Sequence, residues 1–218
     1  MEKSLRIKKI DEQNVNAKDI HQTLDHYAVE WNLISCNNWA ADYPYQPEVA
    51  FRIAHNGRRI FLEYRVKEET VRAMAARNNG CPWEDSCCEF FFQPKTDGAY
   101  YNMECNCRGA LLAACGRGRE ARVQAPIDIV NAVDRWSSLG EGQLEEQSAP
   151  EVWTLTLVIP TTLFFQDKGL SLNHLQAKGN FYKCGDKLPK PHFLSWNAIH
   201  TKVPDFHQPE AFGTLSFE

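Results

Sequence analysis

Apolar and polar positions alternate with a period of two along most of this chain. Residues 49–55 and 58–67 are two such runs, separated by Asn56-Gly57. Asn-Gly between alternating runs predicts a β-hairpin with a type I′ turn. Further strands are expected over 86–93, 99–107, 110–115, 152–159 and 176–184, with short ones over 193–196 and 213–217. Residues 68–78 read as a short helix stopped by Asn79-Gly80, and residues 161–165 as a single helical turn after Pro160. Residues 116–150 are polar and irregular, with at most short strands near 121–124 and 131–136. Many short strands with little helix predict an all-β fold: one jelly-roll-like β-sandwich with one or two short helices, residues 1–218 forming a single domain.

Alternation also sorts side chains by face. In the strand from Ser86, Cys88, Phe90 and Phe92 share one face and Cys87, Glu89, Phe91 and Gln93 the other. In the next strand, Tyr101, Met103, Cys105 and Cys107 form a core face, opposite Tyr100, Asn102, Glu104 and Asn106, with Arg108 at the strand end. Phe181 reads as core, and Asn180 and Tyr182 face the other way. Placed side by side, these strands present Glu89, Glu104, Asn106, Arg108, Asn180 and Tyr182 on one polar face. That face is either a ligand platform or a solvated surface.

Trp83 lies just before Glu89, an acid set among three phenylalanines. A carboxylate in such a run needs a partner. An indole that stacks on a pyranose ring, beside an acid that accepts hydroxyl hydrogens, is the chemistry of a sugar pocket. Glu89 and Glu104 leave an enzyme reading open as the carboxylate pair of a glycosidase. A tryptophan-rich surface leaves open a protein-interaction sandwich.

Composition narrows the classes. The 218 residues carry a net charge of −4 with no basic run, so nucleic acid is not an expected partner. No apolar stretch is long enough for a membrane-spanning helix. Residues 1–11 lack the apolar segment of a signal peptide, which points to the cytoplasm, or to export if a leader was trimmed. Oligomeric state is not legible here. Most of the eight cysteines read as small buried thiols, since Cys105-x-Cys107 is not a zinc-finger spacing. His192, His200 and His207 match no metal motif, and His207 reads as a loop-anchoring hydrogen-bonder. Cys184 and His192 lack a nucleophile signature, and Ser195 lies outside any Gly-x-Ser-x-Gly elbow.

Several segments together resemble the family 9 carbohydrate-binding modules, in particular stand-alone family-9-like β-sandwich proteins. They are Trp39, residues 60–66, Trp83 to Phe92, residues 100–106, residues 153–160, Gly179-Asn-Phe-Tyr-Lys-Cys184, Pro191-His-Phe-Leu-Ser-Trp196, Pro204-Asp-Phe-His207 and Phe212-Gly213. The resemblance implies a module without catalytic machinery, in which two aromatic rings clamp a terminal or short sugar unit and polar side chains read its hydroxyls. Trp83 and Glu89 match one wall and its acid, Arg108 the hydroxyl-reading arginine, and Asn180 the late-strand asparagine. Trp196, or else Tyr182, stands for the second wall, and Asn106 and Tyr182 flank the ligand. No cofactor is expected. Calcium is common in the family, but Asp97, Asp128, Asp134, Asp186 and Asp205 form no compact ligand run, and no site is assigned.

Overall fold

The computed structural model describes residues 2–96 and 98–218. In chain order its strands are β1 (Ser4–Lys9), β2 (Asn32–Leu33), β3 (Cys36–Asn37), β4 (Glu48–His55), β5 (Arg59–Lys67), β6 (Thr70–Ala73), β7 (Cys87–Gln93), β8 (Tyr100–Asn106), β9 (Leu111–Gly116), β10 (Val123–Gln124), β11 (Asp134–Ser137), β12 (Leu144–Ser148), β13 (Trp153–Pro160), β14 (Gln176–Cys184), β15 (Phe193–Ser195) and β16 (Gly213–Phe217). Two short α-helices, α1 (Ile20–His26) and α2 (Ile127–Asn131), and four single 3-10 turns, one of them the turn expected after Pro160 (Thr161–Leu163), complete the regular structure of the described residues. No helix among the described residues is long and apolar enough to cross a membrane.

The strands form a β-sandwich. One layer runs β10-β9-β8-β7-β14-β16-β1 and the other β1-β4-β5-β13-β11. β1 belongs to both. Ser4 to Ile7 pair in parallel with Thr214 to Phe217 of β16, and Lys8 and Lys9 pair with Ala54 and His55 of β4. Inward residues from the two layers meet in one core that includes Phe51, Leu62 and Tyr64 from one side and Phe90, Met103 and Phe181 from the other. The Phe181 ring stacks on Phe51 at 3.7 Å and on Phe90 at 4.7 Å, so a single side chain joins the layers.

Each layer also has a covered outer face. Over β4, β5 and β13, α1 buries Ile20 and Leu24 against Ala54, Phe61 and Val158. Beneath it lies Arg52, cross-strand partner of Glu63, both almost fully buried. Arg52 Nε donates to Glu63 at 2.6 Å, Nη1 to Asp25 at 2.5 Å and Nη2 to the His21 carbonyl at 2.9 Å, tying α1 to the sheet. Over β7, β8 and β14 lies a third cluster, in which Trp39, Ile199, Phe206 and Phe212 cover Phe91, Tyr100 and Tyr182.

Three sequence expectations are corrected. The helix expected over 68–78 is absent: residues 70–73 form β6 and pair with β12. Val71 and Ala73 are fully buried while Thr70 and Arg72 are not, a period-two pattern that overrides the local helix propensity. The hairpin exists in the expected place, but only Gly57 (φ +89°) takes the left-handed region, so the turn is not type I′. The Asn56 side chain instead accepts the Arg58 and Arg59 N–H groups at 3.1 and 2.8 Å. Residues 116–150 also hold more structure than expected, including α2 and β12.

Phe181→Ala should lower stability by about 3–5 kcal/mol in urea denaturation, because it opens a cavity where the layers touch. A loss below about 1 kcal/mol would mean that the stack does not join the layers.

Candidate functional site

The outer face of the first layer carries the site. β7, β8 and β14 are adjacent and in register, with Glu89 opposite both Glu104 and Tyr182, and Phe91 opposite both Asn102 and Asn180. The third cluster covers part of this face and leaves a cavity of about 340 Å³ beside it. Its floor is Glu89 and Phe91 of β7, Asn102 and Glu104 of β8, Leu112 and Ala114 of β9, and Cys184 of β14. Its walls include Trp83 from the turn Pro82–Glu84, Arg119 and Arg122 from the segment before β10, Gln124 of β10, Asp186 after β14, Phe193 of β15, and the loop 204–207.

The floor combines apolar surface with acids. Burial pushes the Glu89 carboxyl well above the ordinary range, and the neighbouring Cys184 and Glu104 add to the shift. Glu104 is pushed up to about 7 by burial, with Asn102 and Arg122 pulling the other way. Asn102 Nδ2 donates to Glu104 at 2.7 Å, and Arg122 Nε donates to Asn102 Oδ1 at 2.9 Å. Arg122 is held in turn by the Tyr100 carbonyl at 2.9 Å and by the Tyr100 ring, whose centroid lies 4.3 Å from the guanidinium carbon. This chain of polar groups is fixed before any ligand arrives.

Trp83 and Glu89 line the cavity together, as Trp83 half-exposed above and Glu89 buried below. The other five proposed contacts lie elsewhere. Trp196 packs in the main core, edge-on to Phe51 and Phe181, over a glycine whose Cβ would meet its ring at 2.5 Å (Gly213). Tyr182 is fully buried beneath Phe206, ring on ring at 4.2 Å, and its hydroxyl donates to the Phe206 carbonyl. Asn180 donates to the Asn197 and Ala211 carbonyls and accepts from the Asn197 and Phe181 N–H groups, which uses its amide to hold the loop after β15. Asn106 closes the β8–β9 turn by accepting from Arg108 and Ala110 N–H, and donates to Asp85 and the Ala75 carbonyl. Arg108 lines a different cavity, with Arg135 and Trp136, and donates to the Glu141 carbonyl.

Other residues line the cavity beside Trp83. Phe193 and Phe206 supply aromatic surface in the same cavity as Trp83, and Arg122 supplies the guanidinium. Phe206 stood within the Pro204-Asp-Phe-His207 segment of the family resemblance, so a signal existed for it. Arg122 had none, because the short strand expected near 121–124 is not among the segments of the resemblance.

Glu89 and Glu104 do face each other. Burial raises both carboxyls, Glu89 the more strongly. Cys184 and His192 do not form a pair. His192 Nε2 faces Lys183 Nζ at 2.8 Å on the core side, and Lys183 is itself paired with Glu68 at 2.8 Å. Among the described residues, the one group of three metal-capable side chains is Cys87, Glu89 and Cys184. Two of its donors are sulfur, which does not suit calcium. Asp128, Asp134, Asp186 and Asp205 do not gather into such a group, and Asp97 lies outside the described residues.

A solved structure of a candidate carbohydrate-binding protein from Bacteroides uniformis is 48% identical to this chain, with all of both chains covered and a TM-score of 0.96. Two structures of a family 9 carbohydrate-binding module from Caldicellulosiruptor kristjanssonii share the fold. The one with glucose is 13% identical, covers 99% of this chain and 96% of that one, and has a TM-score of 0.65. The one with cellotriose is 12% identical, covers 99% and 94%, and has a TM-score of 0.64. No curated protein sequence matches the chain. The model of carbohydrate-binding family 9 matches residues 18–217, and the chain belongs to that family.

Proposed function

We propose that the cavity beside Trp83 holds a terminal or short sugar unit without chemical change to it. The family is one of non-catalytic carbohydrate-binding modules. The observation that carries the reading is the meeting, in one cavity, of the Trp83 ring with buried carboxyls and a fixed asparagine–arginine pair. An indole covers the apolar face of a pyranose, and directional donors and acceptors at its edge read the hydroxyls. The carboxyls accept from sugar hydroxyls, and whichever of them carries a proton donates as well. A volume of about 340 Å³ lies at the small end of ligand sites, roughly 300–1,000 Å³, and favours chain ends over long crystalline chains. Phe206 or Phe193 takes the part of the second aromatic wall, and Arg122 that of the hydroxyl-reading arginine.

Calorimetry against glucose, cello-oligosaccharides and a wider set of mono- and disaccharides tests the assignment. Affinity on the order of micromolar to millimolar is expected. Trp83→Ala should weaken binding at least tenfold and Arg122→Ala should do likewise, while Arg108→Ala should leave it within about twofold. Equal loss in the Arg108 variant would move the site to the other cavity. Silence across the panel by folded protein would leave the protein-interaction reading.

The loop bearing Phe206 is fastened by Tyr100, whose hydroxyl lies 2.8 Å from His207 Nδ1. Burial and the nearby Arg122 hold His207 down to about 4. The ring is therefore neutral at pH 7, with Nδ1 free to accept from Tyr100. A depressed histidine contributes stability that is present above its unfolded value, near 6.5, and is lost as pH falls toward 4. NMR of the His207 ring should give a midpoint near 4, and the loop should loosen below it. A midpoint near 6.5 would show that the Tyr100 contact is not made.

A further inference from the structure

We propose that Cys87, Glu89 and Cys184 form a binding site for a thiophilic divalent cation, zinc foremost, under the floor of the cavity. The three ligand atoms lie within 4.8 Å of one another, and Cys184 Sγ is 3.1 Å from Glu89 Oε1. Tetrahedral zinc, with sulfur at about 2.3 Å and oxygen at about 2.0–2.2 Å, needs donors roughly 3.5–3.8 Å apart. The set is thus already close to the separation that an ion imposes, and small side-chain rotations are enough to complete it.

The strands, rather than flexible loops, hold these groups. Cys87 and Cys184 are directly opposite on β7 and β14, and Glu89 is two positions along β7 on the same face. All three are buried. Two thiolates select zinc over the hard cations calcium and magnesium. Three protein ligands leave a fourth position. Glu89 and Cys184 line the cavity while Cys87 lies behind them, so that position opens toward the cavity, which is also the entry path. Binding displaces the protons of both thiols and of the Glu89 carboxyl to solvent and leaves the fourth place to water. The spacing in sequence conceals the set, because Cys87 and Cys184 come together only through strand pairing. This inference does not rest on the sugar reading.

The test uses the full chain, reduced and stripped of metal, without sugar. Zinc is titrated in competition with a chromophoric chelator, and cobalt(II) serves as a spectroscopic probe of sulfur ligation. One equivalent of zinc per chain and a thiolate-to-cobalt charge-transfer band are expected. Cys87→Ser and Cys184→Ser should each weaken zinc binding on the order of 100-fold, and Glu89→Gln by about tenfold. No stoichiometric uptake by the folded, reduced protein would overturn the proposal, as would uptake unchanged in both serine variants. A wild-type cobalt complex without the charge-transfer band would overturn it as well, and that readout holds even if a variant fails to fold. Since no sugar is present, failure here leaves the sugar assignment untouched.

Discussion

The position of one ring governs much of this molecule. Phe181 lies between Phe51 and Phe90, where the two layers of the sandwich meet. Once that ring points inward, the period of two turns Asn180, Tyr182 and Cys184 outward, and pairing with β7 sets Glu89 beside Tyr182. A slip of one residue would bury the acids among phenylalanines and expose the stack, so the core enforces the arrangement of the site. The apolar interior and the polar floor are two sides of one register.

The outward face is polar in composition but not a bare platform. Asn180 spends its hydrogen bonds on the loop after β15, and Tyr182 spends its hydroxyl on the same loop. These two residues anchor the cover, and the cover supplies the walls. The charged network of Glu104, Asn102 and Arg122 is closed in the same way by backbone and ring contacts of Tyr100. Preorganisation of this kind lowers the ordering cost of binding a small ligand.

The alternation made the strands and their faces legible, including the inward set of Phe90, Met103 and Phe181 and the outward set around Glu89. The pairing of Trp83 with Glu89 was legible in the same way. Alternation says which face a side chain takes but not whether a loop returns to cover that face. For that reason Asn180, Tyr182 and Asn106 read as ligand contacts, while in the structure their side chains bond to neighbouring loops and turns. Trp196 follows β15 and turns into the core over Gly213, a contact set by tertiary packing alone. Arg122 sits in a polar stretch that is not among the segments of the resemblance. The helix expected over 68–78 failed because β12, more than seventy residues on, offered those residues a sheet partner.

β1 and β16 run parallel and side by side, with Ser4 against Thr214 and Ile7 against Phe217. The two ends of the described chain therefore leave that ladder in opposite directions. Tension applied through them slides the strands past each other and loads all their bonds at once, instead of peeling them apart one by one. β1 is also the strand shared by both layers. Mechanical resistance is thus concentrated at the seam of the sandwich, away from the cavity, and a pull on the ends would meet that seam before it distorted the floor beneath Trp83.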